Sequence, residues 1–193
     1  MDKDNLKKLG AKMEKGEKIL WYGRPEPFAV MDKTHRNYLC RRFIFSALGI
    51  LAVMVAYALA ARHFEVPLKP VIVILIVAAG AFACLREWID AAAVRSKIWY
   101  GVTDRRLVWV DDTVSTVRFE AVPKAAFRSD DDGHVSLLCG KAALRKKPER
   151  WRSAAAVKPG CDTESGICEQ LVFYAIPEAD KVKKLLERYI PLE

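Results

Sequence analysis

Two long apolar stretches, separated by a short polar connector, constrain this chain more than any other feature. The first, residues 43–61, contains no Asp, Glu, Lys, Arg, His, Asn or Gln, and as a helix it spans roughly 28 Å, close to the thickness of a hydrocarbon core. The second, residues 71–85, is shorter but is followed by Trp88, which suits a membrane interface. The pattern predicts a transmembrane helical hairpin. The alternative, a hairpin buried in a soluble domain, is disfavoured because such helices usually keep a polar stripe.

The charges that flank the apolar stretches predict how the hairpin is oriented. Lys and Arg cluster before the first stretch and after the second, whereas the connector, residues 62–70, holds only Arg62 and Lys69. Because positively charged flanks stay in the cytoplasm, we expect an integral protein of the inner (cytoplasmic) membrane with both termini cytoplasmic. Residues 1–42, which precede the first stretch, are too many for the charged region of a signal peptide. We therefore expect both spans to remain in the mature protein.

The two spans divide the chain into three parts. Residues 1–42 are predicted to form a cytoplasmic amino-terminal arm, residues 43–89 the two-helix hairpin, and residues 90–193 a domain of about 100 residues with its own core. Hairpin topology and anionic lipid explain most of the formal net charge of +8. A nucleic-acid-binding protein would need a basic face interleaved with aromatic side chains, and no such pattern is evident. Nucleic acid is therefore not an expected partner.

The residue chemistry argues against catalysis and against a metal or cofactor. The histidines, His35, His63 and His134, are scattered, and no Gly-rich phosphate loop, nucleophile elbow or zinc-ligand spacing occurs. The five cysteines are an odd number in a predicted reducing compartment, so we expect no disulfide framework. Cys161 and Cys168 lie close together but lack a second ligand pair. We expect a protein that is not an enzyme and has no cofactor.

The sequence after the hairpin has the alternation and the turn signals of an antiparallel sheet. The predicted strands are residues 97–102, 107–110, 113–121, 125–128, 134–139 and 171–176. Residues 141–169 carry no regular pattern, and a helix is predicted after Pro177. The apolar stripe of this helix is Val182, Leu185, Leu186, Tyr189 and Ile190. Short strands followed by one amphipathic helix favour a mainly-β, α+β domain, either a small barrel or a bent sheet covered at one end by the helix.

Three short motifs, in a fixed order, connect the chain to a known family. Residues 100–107, YGVTDRRL, resemble the Y-x-V/L-T-x-x-R-L hairpin of bacterial pleckstrin-homology-like (PH-like) domains in small integral membrane proteins. Residues 173–186, FYAIPEADKVKKLL, are similar to the last strand and capping helix of those domains. Residues 16–25, GEKILWYGRP, are similar to the leader that precedes their two-helix hairpin. The resemblance implies a seven-stranded PH-like barrel with a carboxy-terminal helix, tethered beneath the membrane in a non-enzymatic protein.

Two of these motifs also have a purely structural interpretation. Thr103 and Asp104 can hydrogen-bond to backbone in the hairpin turn, which favours a scaffold over a ligand site. The GEKILWYGRP leader suits either an edge strand of the domain or the headgroup layer, because Trp21 and Tyr22 fit both places. Neither motif is therefore a predicted binding site.

The best candidate for a binding surface is the basic segment, residues 145–152, with the sequence RKKPERWR. Its candidate residues are Arg145, Lys146, Lys147, Arg150, Trp151 and Arg152. Each cation near an anionic leaflet contributes about 1 kcal/mol, and Trp151 suits the headgroup level, so membrane lipids are the predicted partners. The alternative is a solvated basic loop with no partner.

The sequence thus predicts a membrane-anchored PH-like protein that binds anionic lipid headgroups at the cytoplasmic leaflet. The alternative function is a protein-interaction and assembly module, with a second copy or another membrane protein as its partner. Small residues in the hairpin would permit close contacts between helices. They are Ala47, Gly49, Ala52, Ala56, Ala60, Ala78, Ala79, Gly80, Ala81 and Ala83.

Overall fold

Two long helices and two antiparallel sheets form the fold, and one strand of the first sheet precedes the helices along the chain. The structure is a computed structural model that describes residues 10, 13–161 and 166–192. Helix α1 is Lys33–His63 and helix α2 is Pro70–Ser96, and both are long and apolar enough to cross a membrane. Their central parts expose large apolar side chains, among them Phe45 at 69% and Leu51 at 60%. The predicted helical hairpin is present.

The two helices pack closely against each other. Gly80 in α2 lies against the side chain of Ile50 in α1, and a Cβ atom at this glycine would collide with that isoleucine. Pro70 begins α2, where its missing N–H group would have no partner within the helix in any case. At least one of the small residues noted in the sequence thus serves the contact between the two helices of the same chain.

The strands form two four-stranded sheets, in which every pairing is antiparallel. The first sheet, in the order β1-β2-β3-β4, contains β1 Ile19–Gly23, β2 Trp99–Thr103, β3 Arg106–Val110 and β4 Val114–Arg118. The second, in the order β5-β6-β8-β7, contains β5 Ala125–Ser129, β6 Val135–Gly140, β7 Gly160–Cys161 and β8 Cys168–Phe173. The leader is therefore an edge strand, paired with β2 through Tyr22 and Gly101.

The strand pattern was predicted in outline, and the structure differs from it in several places. The last predicted strand, residues 171–176, is shifted toward the amino terminus, since β8 is Cys168–Phe173. The third predicted strand ends at Arg118, because Phe119–Ala121 turns into a 3-10 helix that still buries Phe119. The segment without a pattern holds two 3-10 helices, Lys141–Leu144 and Pro148–Arg150, and the short helix α3, Trp151–Ala155. It also holds the short strand β7 and the first residues of β8. No strand pairing among the described residues joins the two sheets, so the ladder does not close into a barrel.

The core lies between the sheets and includes parts of the leader and of α2, while Leu39 of α1 is buried at 1% exposure. Tyr100 of the first sheet stacks on Phe173 of the second, with ring centroids 4.4 Å apart. Trp21, Phe28 and Val94 belong to the same cluster of buried side chains. Helix α1 begins before the predicted boundary at residue 42, and helix α2 continues beyond the predicted boundary at residue 89. Both helices are continuous across these boundaries.

Helix α4, Ala179–Leu186, packs against this core as its apolar stripe predicts. Val182 and Leu186 are fully buried, and Ile190, just beyond the helix, is 3% exposed. Tyr189 is the exception, since it remains 41% exposed. The amphipathic terminal helix is confirmed, with one member of its stripe partly open to solvent.

Candidate functional site

The basic segment divides into exposed and buried residues. Arg145, Lys146, Lys147 and Arg150 are exposed, as predicted for a binding surface. Trp151 and Arg152 are instead buried at the start of α3, with exposed fractions of 2% and 0%. These two residues are therefore not available at the surface, which corrects their place in the predicted site.

Arg152 is buried because it joins α3 to the segment that enters α1. Its guanidinium donates to the carbonyl oxygens of Ala29 and Val30, at 3.4 and 3.1 Å, and lies 3.7 Å from a carboxylate oxygen of Asp32. It also sits over the Phe28 ring, 5.5 Å from the centroid. Burial lowers the pKa of this arginine, and its charge is retained by partners that include Asp32.

Trp151 is a core residue with a satisfied polar atom. Its indole N–H donates to the carbonyl oxygen of Arg145 at 3.1 Å, and its ring belongs to the main core cluster. The contact folds the segment back on itself and leaves the Arg145 side chain outside. Burial of the ring stabilises the loop conformation that presents the exposed cations.

Two of the four exposed cations contribute to a polar cleft of about 270 Å³ between the long helices and the basic segment. We call it the arginine cleft. It is lined by Tyr38, Arg42, Arg86, Glu87, Arg145, Arg150, Ser153, Ala154, Val157 and Gln170. Its charged lining is thus four arginines and one glutamate. Lys146 and Lys147 lie outside this lining.

The single carboxylate of the cleft is buried and holds its neighbours in place. Glu87, 4% exposed, accepts a hydrogen bond from Arg42 at 2.6 Å and another from the Ser153 hydroxyl at 2.5 Å. Arg42 also donates to the carbonyl oxygen of Ala83 in α2, at 3.0 Å. Glu87 thereby ties α1, α2 and α3 together and fixes one wall of the cleft.

The remaining arginines keep donors available for a ligand. Arg86 and Arg150 are exposed, and their side chains make no hydrogen bond or ion pair with other described residues. Arg145 donates to the Gln170 side chain, which orients it while leaving other N–H groups of its guanidinium. Planar guanidinium groups bind phosphate and carboxylate through paired hydrogen bonds, so the cleft is suited to an oxyanion.

The cleft opens next to the apolar part of the hairpin. Arg42 directly precedes the first apolar stretch, and Arg86 directly follows the second. A neighbouring cavity of about 370 Å³ shares Tyr38 and Arg42 and continues along α1 to Phe45. A phosphate in the cleft would therefore lie beside a surface suited to an acyl chain.

Sequence reasoning identified Arg145 and Arg150 but treated Arg42 and Arg86 only as charges that orient the hairpin. The available signal was their position, since each lies immediately outside an apolar stretch and the hairpin brings them together. The turn motif, in contrast, has the backbone hydrogen bonds that the sequence predicts for its threonine. The Thr103 hydroxyl oxygen accepts hydrogen bonds from the amides of Arg105 and Arg106, at 3.2 and 3.0 Å.

Comparison with known proteins does not assign this chain to a family. No family model, curated protein or solved structure matches this chain. Within the described residues no group of His, Cys, Asp and Glu is arranged to hold a metal ion. Function must therefore be argued from the chemistry of the chain's own residues.

Proposed function

We propose that the helical hairpin anchors this protein in the inner (cytoplasmic) membrane, with both termini cytoplasmic, and that the arginine cleft binds the headgroup of an anionic phospholipid. The observation that carries the proposal is the convergence of four arginines, from α1, α2 and the basic segment, at the polar ends of two apolar helices. The flanking cations support this orientation. The protein acts as a lipid-binding module without catalysis.

A lipid fits the cleft better than free phosphate does because of the surface next to it. Phe45 and the apolar face of α1 continue from the cleft, so an acyl chain can lie along the helix while the phosphate meets Arg86 and Arg150. Free phosphate would gain only the polar contacts. Burial of an acyl chain adds about 0.8 kcal/mol per CH₂ group.

The proposed fold family is the PH-like domain. Its support is the order of leader, hairpin, turn motif and terminal helix in the sequence, together with two antiparallel sheets and one carboxy-terminal helix in the structure. The described residues form two sheets that no strand pairing joins, which differs from the closed barrel that the resemblance implies.

The test uses the full chain in nonionic detergent micelles. We would titrate it with short-chain phosphatidylglycerol, short-chain phosphatidylcholine and glycerol phosphate, and follow binding by thermophoresis. We expect phosphatidylglycerol to bind best, glycerol phosphate weakly and phosphatidylcholine least. Replacing two exposed cleft arginines, Arg86→Ala with Arg150→Ala, should weaken phosphatidylglycerol binding about tenfold or more, since each charge-assisted hydrogen bond contributes about 1.5–3 kcal/mol.

The matched control replaces two cations of the basic segment outside the cleft, Lys146→Ala with Lys147→Ala. It removes the same charge, so it should leave the affinity almost unchanged if the cleft is the site. Equal losses in both double variants would indicate diffuse attraction to a basic loop. No lipid binding by the wild-type chain would contradict the proposal and favour the assembly module instead.

A further inference from the structure

A second group of arginines surrounds a cavity at the β2–β3 turn, at the end of β2 that points away from α2. The cavity has a volume of about 400 Å³. Its lining residues are Glu14, Asp104, Arg105, Arg106, Arg118, Phe119, Glu120, Arg188 and Tyr189. None of these residues lines the arginine cleft, so this surface is separate from the proposed lipid site.

One ion pair at this cavity is structural. Arg106 donates from Nε to a carboxylate oxygen of Glu17 at 2.8 Å and from Nη2 to the other oxygen. The carboxylate side chain is fully buried, and the hydrogen bonds from Arg106 lower the pKa of Glu17 to about 2. This bidentate pair fixes the start of β1 to β3 and is not available to a ligand.

A second carboxylate occupies the cavity much more loosely. Besides a longer ion pair of 3.8 Å with Arg106, Glu14 lies 3.1 Å from Arg105 and 3.2 Å from Arg118, measured between oxygen and nitrogen atoms. The side chains of Glu14, Arg105 and Arg118 are 39%, 51% and 70% exposed, respectively. Exposed ion pairs of this kind contribute little to stability because solvent screens them. Glu14 is therefore a displaceable occupant of the cavity.

The rest of the cavity has the residue types of a protein interface. Arg188 is exposed, and its side chain makes no hydrogen bond or ion pair with other described residues. Tyr189 stacks on Phe119, with centroids 4.9 Å apart and planes at 23°, and is 41% exposed. Arginine and aromatic side chains are enriched in protein interfaces.

We propose that Arg105, Arg118 and Arg188 form a docking site for an acidic segment of a partner protein, whose carboxylates replace that of Glu14. The occupant already present is a carboxylate of the polypeptide itself, which shows the chemistry that the arginines accept. The exposed tyrosine beside them offers an apolar contact for the partner's side chains. In the free protein, the amino-terminal arm competes with the partner for these arginines.

The test uses the full chain in phosphatidylcholine nanodiscs and a fluorescently labelled poly-glutamate peptide, with binding followed by anisotropy. The wild-type chain should bind the peptide, and a poly-glutamine peptide of the same length should not bind. Glu14→Ala should tighten binding roughly threefold or more, because removing an internal competitor raises the fraction of open sites. Arg118→Ala with Arg188→Ala should weaken binding about tenfold.

The matched control is Lys183→Ala with Lys184→Ala, two exposed cations of α4. Unchanged affinity in this control, alongside the loss in the arginine variant, would support the docking site. Equal losses in both variants, no effect of Glu14→Ala, or no peptide binding at all would each overturn the proposal. A thermal unfolding curve for every variant establishes that it is folded before binding is measured.

Discussion

The two ends of the helical hairpin differ in how they are used. At the connector end, Phe64 is 71% exposed and Leu68 is 54% exposed. At the other end, Leu39 of α1 is 1% exposed, while Ala91 and Val94 of α2 are fully buried. The same two helices therefore present a free surface at one end and part of a domain core at the other.

This difference shows that the hairpin is built into the domain and is more than a tether. Asp32 caps the start of α1 by accepting a hydrogen bond from the amide of His35 at 2.7 Å. A second carboxylate reaches the same helix end from the β5–β6 turn, where Asp132 accepts from the amide of Thr34 at 3.0 Å and from its hydroxyl at 2.8 Å. Fixed contacts of this kind hold the arginine cleft in shape.

The largest expected effect comes from cutting the chain at residue 90. The fragment 90–193 lacks β1 and the core residues Trp21 and Phe28. Loss of a large buried aromatic side chain typically costs about 3–5 kcal/mol, so losing two approaches the total stability of a small domain. We expect no cooperative thermal transition by circular dichroism from the fragment, in contrast to a chain that starts at residue 13. A sharp transition from the fragment would show that the domain is independent of the hairpin.

A smaller but still large effect is expected from Arg152→Ala. The change leaves the carbonyl groups of Ala29 and Val30 and the Asp32 carboxylate without this partner, and removing one member of a buried pair costs about 3–5 kcal/mol. Chemical denaturation in detergent micelles measures the loss. The control at the connector end is Arg62→Ala, an exposed position that should change stability by less than about 0.5 kcal/mol. Similar losses at both positions would remove the contrast between the two ends.

The smallest expected effect is at the Asp132 cap, where it depends on pH. Burial opposes ionisation, but the hydrogen bonds from Thr34 and Lys33 lower the pKa of Asp132 below its ordinary value of 3.8. The stability that this carboxylate contributes is therefore complete above that value and is lost as pH falls through the lowered pKa. Asp132→Asn should lower the free energy of unfolding by about 1 kcal/mol near neutral pH. In this variant the free energy of unfolding should also decrease less as the pH falls than it does in the wild-type chain.

The neighbouring Asp131→Asn variant is the control for this cap. Asp131 is exposed in the same turn, and its backbone amide donates to the Thr34 hydroxyl. Its carboxylate makes no hydrogen bond or ion pair with the described residues. Melting temperatures measured from neutral to acidic pH should therefore follow the wild-type curve in this variant. If both substitutions lowered the melting temperature equally, general charge rather than the cap would be responsible.

The sequence by itself determined the elements whose signals are local. The absence of charge over residues 43–61 specifies an apolar helix, the turn residues Asp130–Gly133 specify the hairpin of β5 and β6, and three- to four-residue spacing specifies α4. Each of these signals depends on neighbours within one or two helical turns. The helix lengths were underestimated, because the polar ends of α1 and α2 are stabilised by contacts with the domain.

Only the tertiary structure decided which charges face solvent. Arg150 and Arg152 belong to one basic run and look alike in sequence, yet the first is exposed and the second is fully buried. The partners of Arg152, Ala29 and Val30, are more than a hundred residues away along the chain. Arg42 and Arg86 likewise meet Arg145 and Arg150 only when the hairpin has closed against the domain. The physical reason is that burial and ion pairing depend on distance in space, which the order of residues along a chain does not specify.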